Sequence, residues 1–266
     1  MIKKFIKYFL YLLILITIGV IYLSYFGVET KRFNQLIKDE VLKANKKIKI
    51  ELEEVKIILN LNDFSIGLKT YDTNLIFENK IINLEKIGIN FSIQSFLKKE
   101  FAIKNAKIAT AENSLNDIIK IARTFQNTPQ LFIFNTMVKG GVIIADIDLN
   151  FNDKGKLTDN YNIQGSVRDA KIRLLNKKNI NKISFNFNIK DKQYLLENSK
   201  IEYQKLKLSS KKIKISKQKQ YYLFEGDLSS PKSSVNSDLF LAIFKNNFED
   251  LGFRDLNFSS ENNFFF

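Results

Sequence analysis

Along residues 48–53 hydrophobic and polar side chains alternate one for one, Ile48, Ile50 and Leu52 against Lys49, Glu51 and Glu53. The same period of two returns at Ile87, Ile89, Phe91 and Ile93, at Ile143, Ala145, Ile147, Leu149 and Phe151, and at Phe185, Phe187 and Ile189. Shorter echoes stand at Leu206/Leu208 and Ile213/Ile215. Successive side chains of a strand point to opposite faces, so each run predicts a strand with one dry and one wet face. That is the pattern of an antiparallel sheet covered on one side. Phe91, Ile147, Phe187 and their period-two neighbours are expected to face one concavity, with Asp148, Asn150, Asn186 and Asn188 in solvent. Asn152–Gly155 and Asn176–Asn179 read as turns between strands.

Other stretches follow different rules. Tyr8–Val28 carries no charge, and about twenty residues at ~1.5 Å each span a hydrocarbon core of ~30 Å. Lys3, Lys4 and Lys7 precede it, Glu29, Lys31 and Arg32 follow, and Tyr8, Tyr11, Tyr22 and Tyr25 lie towards its ends. A cleaved signal would have a shorter apolar region and a small-x-small site, and Ser24-Tyr25-Phe26 is too bulky for one. An uncleaved single-pass anchor is expected. The lysine cluster keeps the N-terminus in the cytoplasm, which in a bacterium puts the anchor in the inner membrane and the body in the periplasm.

Thr30–Asn45 has Phe33, Leu36, Ile37, Val41 and Leu42 at helical spacing. A second helix is predicted from Ser114 and Asp117, a capping-box-like start, with Leu115, Ile118, Ile119, Ala122 and Phe125 as its apolar stripe. Ser237 opens a third, with Leu239, Phe240, Ile243, Phe244 and Phe248 on one side. The expected fold is mainly β with a few helices: an N-terminal transmembrane helix, then a curved antiparallel β-groove sheet. Pro129 marks the expected boundary. Residues 1–28 form the cytoplasmic N-terminus and anchor, 29–130 a first groove segment with its helix, and 131–266 a second with a C-terminal helix.

Composition narrows the chemistry. The 266 residues include no Cys and no His, which removes thiolate nucleophiles, disulfides, Cys- or His-held zinc and every His-dependent triad. A serine nucleophile would need a lysine base, and Ser-x-x-Lys occurs at Ser95/Lys98, Ser209/Lys212, Ser216/Lys219 and Ser229/Lys232. In so lysine-rich a chain the pattern is cheap, and its Ser-Asp-Asn and Lys-Thr-Gly companions are missing. Asp146, Asp148 and Asn150 suggest a calcium loop, but Phe151 stands where the loop needs glycine and no Glu holds the twelfth position. No enzyme activity, metal or cofactor is expected. The net charge of +14 is carried mostly by lysine spread singly along alternating strands, which reads as a solvated face and not as a nucleic-acid surface.

The stretch Leu84–Ile108 has a strand ending in Asn90-Phe91-Ser92, a short Ser95-Phe96-Leu97 turn, the pair Lys98-Lys99, then a strand with small residues. With the anchor before it, this resembles the AsmA-like family of Gram-negative envelope proteins. Val138–Phe151, Gly165–Ile172 and Ile183–Ile189 are similar to the central domain of its YhdP-type members. The resemblance implies a bridge-like protein of repeating β-grooves that moves phospholipid between inner and outer membranes, with envelope proteins as partners. Members of that type are far longer, so it also implies either the N-terminal piece of a longer protein or a small relative working with partners. The groove lining would then be Ile87, Ile89, Phe91, Ile93, Ile147, Leu149, Phe151, Phe185, Phe187 and Ile189. Two alternatives stay open: an LptC-like component of lipopolysaccharide transport, and a scaffold of envelope assembly whose dry face is simply a core.

Overall fold

The computed structural model describes residues 2–98, 103–125, 127–173, 179–203, 206–218, 221–236 and 255–265. Helix α1 (Ile2–Tyr25) comes first. Its stretch Lys4–Tyr25, 22 residues containing an 18-residue window of mean hydropathy 2.2 with 0% of it buried, is long and apolar enough to cross a membrane. Phe26 and Gly27 donate their backbone N–H groups to the Tyr22 carbonyl at 2.9 and 3.3 Å. Gly27 closes the helix at φ +68, a left-handed conformation that glycine adopts without a steric penalty. The uncharged run continues to Val28, yet Val28 already opens a strand, β1 (Val28–Thr30). Apolarity alone does not separate the end of a helix from the start of a short strand.

The chain forms two compact units, Met1–Ala111 with Ile147–Tyr161, and Glu112–Asp146 with Asn162–Phe266. The first holds α2 (Asn34–Ala44), β2 (Ile48–Glu51), β3 (Val55–Asn60), β4 (Ser65–Phe77), β5 (Lys80–Ser92), α3 (Ile93–Leu97) and β6 (Ile103–Thr110). Its strands lie in the order β1-β3-β4-β5-β6, with β2 on the far half of β4, and these pairs are antiparallel. The amphipathic helix expected from Thr30 starts at Asn34, because Val28–Thr30 are paired with β3. Ile37 and Val41 of α2 pack on buried Ile50, Leu52 and Val55, together with Leu68 and Ile87. The Asn34 amide donates to the Leu52 and Glu53 carbonyls at 3.3 and 2.8 Å, tying the helix to the loop before β3.

The second unit holds β7 (Asn113–Ser114), α4 (Leu115–Phe125), α5 (Pro129–Met137) and the first part of β8 (Val138–Asn150). It continues through β9 (Asn162–Arg173), β10 (Asn179–Lys190), β11 (Gln193–Tyr203), β12 (Leu206–Lys217), β13 (Tyr222–Asn236) and β14 (Asp255–Phe265). From β9 onward each strand pairs antiparallel with the next. Helix α4 forms where the stripe predicts it, and Leu115 packs on the buried cluster Val167, Ala170 and Ile183. Pro129 stands in the first turn of α5, where its missing N–H costs nothing, and Thr128 caps that helix by accepting from the Leu131 N–H at 3.3 Å. Asn152–Gly155 forms its turn, the Gly155 N–H reaching the Asn152 carbonyl at 2.9 Å. The helix expected from Ser237 and most of the turn at Asn176–Asn179 lie outside the described residues. The fold class holds: mainly antiparallel β after a long apolar helix.

Candidate functional site

Burial along the strands is not a simple alternation. At Thr70–Thr73, Val167–Ala170 and Ser210–Ile213, two consecutive exposed residues separate inward ones, so the inward register steps by three instead of two. The same step occurs at Leu84–Ile87, Ile180–Ile183 and Leu196–Ser199. The outward pair often includes a residue at positive φ, as at Asp72 (47°), Asp169 (51°), Lys182 (51°) and Asn198 (52°). Where one strand steps and its neighbour does not, as at Ser209–Ile213 against β13, the register shifts as a β-bulge, which bends a strand and sharpens its twist. Hairpin partners carry the step at matching levels. Thr70 pairs with Ile87 and Thr73 with Leu84, while Leu196 pairs with Ile213 and Ser199 with Ser210. Each unit therefore keeps its apolar side chains on one face through a bend.

In the first unit that face is fully buried only in part, and Leu68 and Ile87 border the buried part. Beneath α2 lie Ile50, Leu52 and Val55. Beyond it, Leu68 pairs with Ile89 and Ile66 with Phe91. Ile89 in turn pairs with Ala106, and Phe91 with Ile103. Ile87, Ile89 and Phe91 are all half-buried. Ile93 departs from the expected alternation: β5 ends at Ser92 and Ile93 opens α3. Its N–H donates to the Phe64 carbonyl at 3.1 Å, so the chain turns there to close on the β3–β4 turn. Ile147, Leu149 and Phe151 are half-buried in the same unit, with Phe151 bridged to Leu157 past the end of β8.

In the second unit Phe185 and Phe187 share one side of β10, their rings edge to face at 6.4 Å. Phe187 pairs with Gly165 and Leu196, and Ile189 with Ile163 and Tyr194. Continuing outward, Leu196 pairs with Ile213 and Tyr194 with Ile215, which pairs with Phe224. These form a half-buried apolar lane across β9–β13, beside the buried cluster under Leu115. Gly165 is required in it: a Cβ there would lie 2.1 Å from the Ile144 carbonyl oxygen. Hydroxyls interrupt the face where the register steps, with Ser199, Ser210, Ser230 and Ser233 all buried.

The polar face differs from a freely solvated one. Asn186 is exposed, but Asp148, Asn150 and Asn188 are half-buried, because neighbouring side chains close over them. The Asn188 amide donates to Asn162 at 3.1 Å, that of Asn150 to the Asn160 carbonyl at 2.6 Å, and Lys107 pairs with Asp148 at 3.2 Å. Of the Ser-x-x-Lys serines, Ser209 and Ser229 bond each other at 2.9 Å, and Ser95 donates its N–H to Ser92 Oγ at 3.1 Å. Among the described residues no cluster of acidic side chains forms a metal site.

The residues that shape the face were not singled out by periodicity. Asp227 accepts the N–H groups of Lys211 and Lys212 at 2.9 and 2.8 Å, holding the outward pair of the β12 step. Those bonds, the one from Lys211 first, draw its carboxyl below the usual aspartate range. Neighbouring outward polar pairs such as Glu85-Lys86, Arg168-Asp169 and Lys211-Lys212 are the trace that the steps leave in the sequence. No protein-family model, curated protein or solved structure matches the chain.

Proposed function

We propose that the chain is a membrane-anchored, non-catalytic lipid carrier of the AsmA-like kind, held by α1 in a bacterial inner membrane with its body in the periplasm. The observation that supports this best is the apolar lane of each unit that is not fully buried: Ile89 and Phe91 in one, Phe187, Leu196 and Ile213 in the other, partly exposed although strongly apolar. A monomer that used this face only as a core would bury it, since each methylene removed from water is worth ~0.8 kcal/mol. A phospholipid brings about thirty acyl methylenes, so leaving a bilayer forfeits on the order of 20 kcal/mol of contacts. A continuous apolar lining is the arrangement that can return them.

A photo-crosslinking residue at Phe187 in the full chain should trap phospholipid, and one at outward-facing Asn186 should not. Mass spectrometry of the adduct separates phospholipid from lipopolysaccharide. Ile183, 8% exposed beneath α4, serves as the core control. Ile183→Asp buries an unpaired charge and should deplete the protein, whereas Phe187→Asp should leave the level intact and abolish lipid capture from a probe at Leu196. If Phe187→Asp depletes the protein as severely and no position on the lane captures lipid, the scaffold reading replaces this one.

A further inference from the structure

We infer that the end of the first unit's sheet beside α1, tipped by Leu61, Phe64 and Leu97, sits in the interfacial layer of the membrane. The inference rests on the reading of α1 as an anchor. After Gly27, β1 pairs antiparallel with β3, Val28 opposite Ile57 and Thr30 opposite Val55. The rest of β3, Ile58–Asn60, therefore runs back towards α1, and α1 packs against β3. Lys4–Gly19 is exposed throughout, but Val20, Leu23 and Ser24 are half-buried at helical spacing. From Val20 to Gly27 is ~10 Å of helix at ~1.5 Å per residue. The sheet thus overlaps the last turns of an apolar helix, at the level of its aromatic end. There Tyr22 stacks on Phe26 at 5.3 Å and Tyr25 is 80% exposed, the composition of a membrane–water boundary.

At this level the sheet presents large apolar side chains beside Asn62 and Asp63. The β3–β4 turn shows Leu61 and Phe64 at 43% and 71% exposure, and α3 shows Leu97 at 75%. Ser65 pairs with Ser92, so the turn and α3 share one end of the sheet. Phe64 holds φ +45, a conformation that a bulky side chain adopts only under strain, while glycine or asparagine would take it freely. A strained phenyl projecting from a turn serves no packing purpose in water. Charge does not supply the main attraction. Lys104 Nζ lies 3.4 Å from the Asp63 carbonyl, the Asp63 carboxylate accepts from Asn60 at 2.9 Å, and Lys98 follows Leu97 at the end of α3. Of these side chains two are cationic and one anionic, a small excess, so the occupant is the bilayer itself, entered by apolar tips with headgroup charge a secondary attraction.

The chain has no cysteine, so single cysteines can carry an environment-sensitive fluorophore in the full chain reconstituted into phosphatidylcholine vesicles. Suitable sites are Leu15→Cys within α1, Phe64→Cys, Leu97→Cys, and Lys46→Cys. The last lies at the opposite end, where Ile48 pairs with Phe77. Lipids spin-labelled near the headgroup should quench Phe64→Cys and Leu97→Cys about twofold or more beyond Lys46→Cys. Anionic lipid should raise that ratio only modestly. If Leu15→Cys is quenched while Phe64→Cys and Leu97→Cys match Lys46→Cys, the seat is refuted and the anchor stands. Apolar emission at Phe64→Cys without lipid quenching means that protein covers the tip, which also overturns the inference. If Leu15→Cys escapes quenching, the anchor reading fails and the seat with it.

Discussion

Thr73 is 0% exposed and Thr70 8%, and their hydroxyls meet at 2.7 Å across the step in β4. Thr73 also reaches the Tyr71 carbonyl, at 3.3 Å. With its proton on that carbonyl, Thr70 must be the donor within the pair. The two isosteric replacements are then unequal. Thr73→Val keeps the shape but leaves the Thr70 hydroxyl buried with no acceptor, a cost of about 1–3 kcal/mol. Thr70→Val removes the donor and leaves Thr73 its own bond, costing about 0.5–1.5 kcal/mol. The double variant orphans no hydroxyl and should be more stable than Thr73→Val alone. Hydrogen exchange by mass spectrometry on peptides from β4 and β5, in the full chain, reads the opening of the first unit directly. Thr73→Val should raise the opening equilibrium about 5–150-fold, since 1–3 kcal/mol corresponds to that range. Equal costs for the two single variants, with a double variant equal to their sum, would refute the assigned direction of the bond.

Acid should weaken the second unit through Asp227. Its carboxyl titrates below the ordinary value of 3.8, so its contribution is full above that value and is lost as pH falls through the lowered one. Unfolding followed over this range should show the wild type losing stability relative to Asp227→Asn, which has no charge to lose; parallel curves would exclude the role. Gly165→Ala should destabilise β9 and β10 by about 1–3 kcal/mol, because backbone must shift to admit the methyl group. Gly140→Ala, whose Cβ would meet nothing nearer than Lys171 Cδ at 3.9 Å, should stay within about 0.5 kcal/mol in the same exchange measurement.

The period of two located β2, β5, β8, β10 and β12 because a half-covered sheet imposes it, and Ile48–Glu51, Ile87–Phe91 and Phe185–Ile189 fall on strands, while Leu52 lies just past the end of β2. It failed at Ile93 because a residue one step past a strand end can keep the phase while the backbone turns into a helix. It also hid the link from Leu84 to Ile87 and from Val167 to Ala170, where the phase breaks although the face continues. Local spacing cannot separate such a step from two unrelated strands; pairing with the neighbour settles it. The helices covering each face were visible as stripes at Ile37/Val41 and Leu115/Ile119. Which part of the face they leave open depends on tertiary packing, to which no local pattern refers.

The matched steps within hairpins bear on how such a sheet can change over generations. Losing one residue from the outward pair Lys211-Lys212 would restore plain alternation on β12 and keep Ser210 and Ile213 on one face, but it would set the pair Glu197-Asn198 of β11 against a single residue. Gaining or losing a whole hairpin, such as β11 with β12, removes both halves of a matched pair and leaves the remaining strands in phase. Single-residue changes at a step thus unmatch it from its hairpin partner, while whole hairpins can come and go with their steps still matched. Lineages built this way should differ by pairs of strands, and their gaps in alignment should fall in the turns.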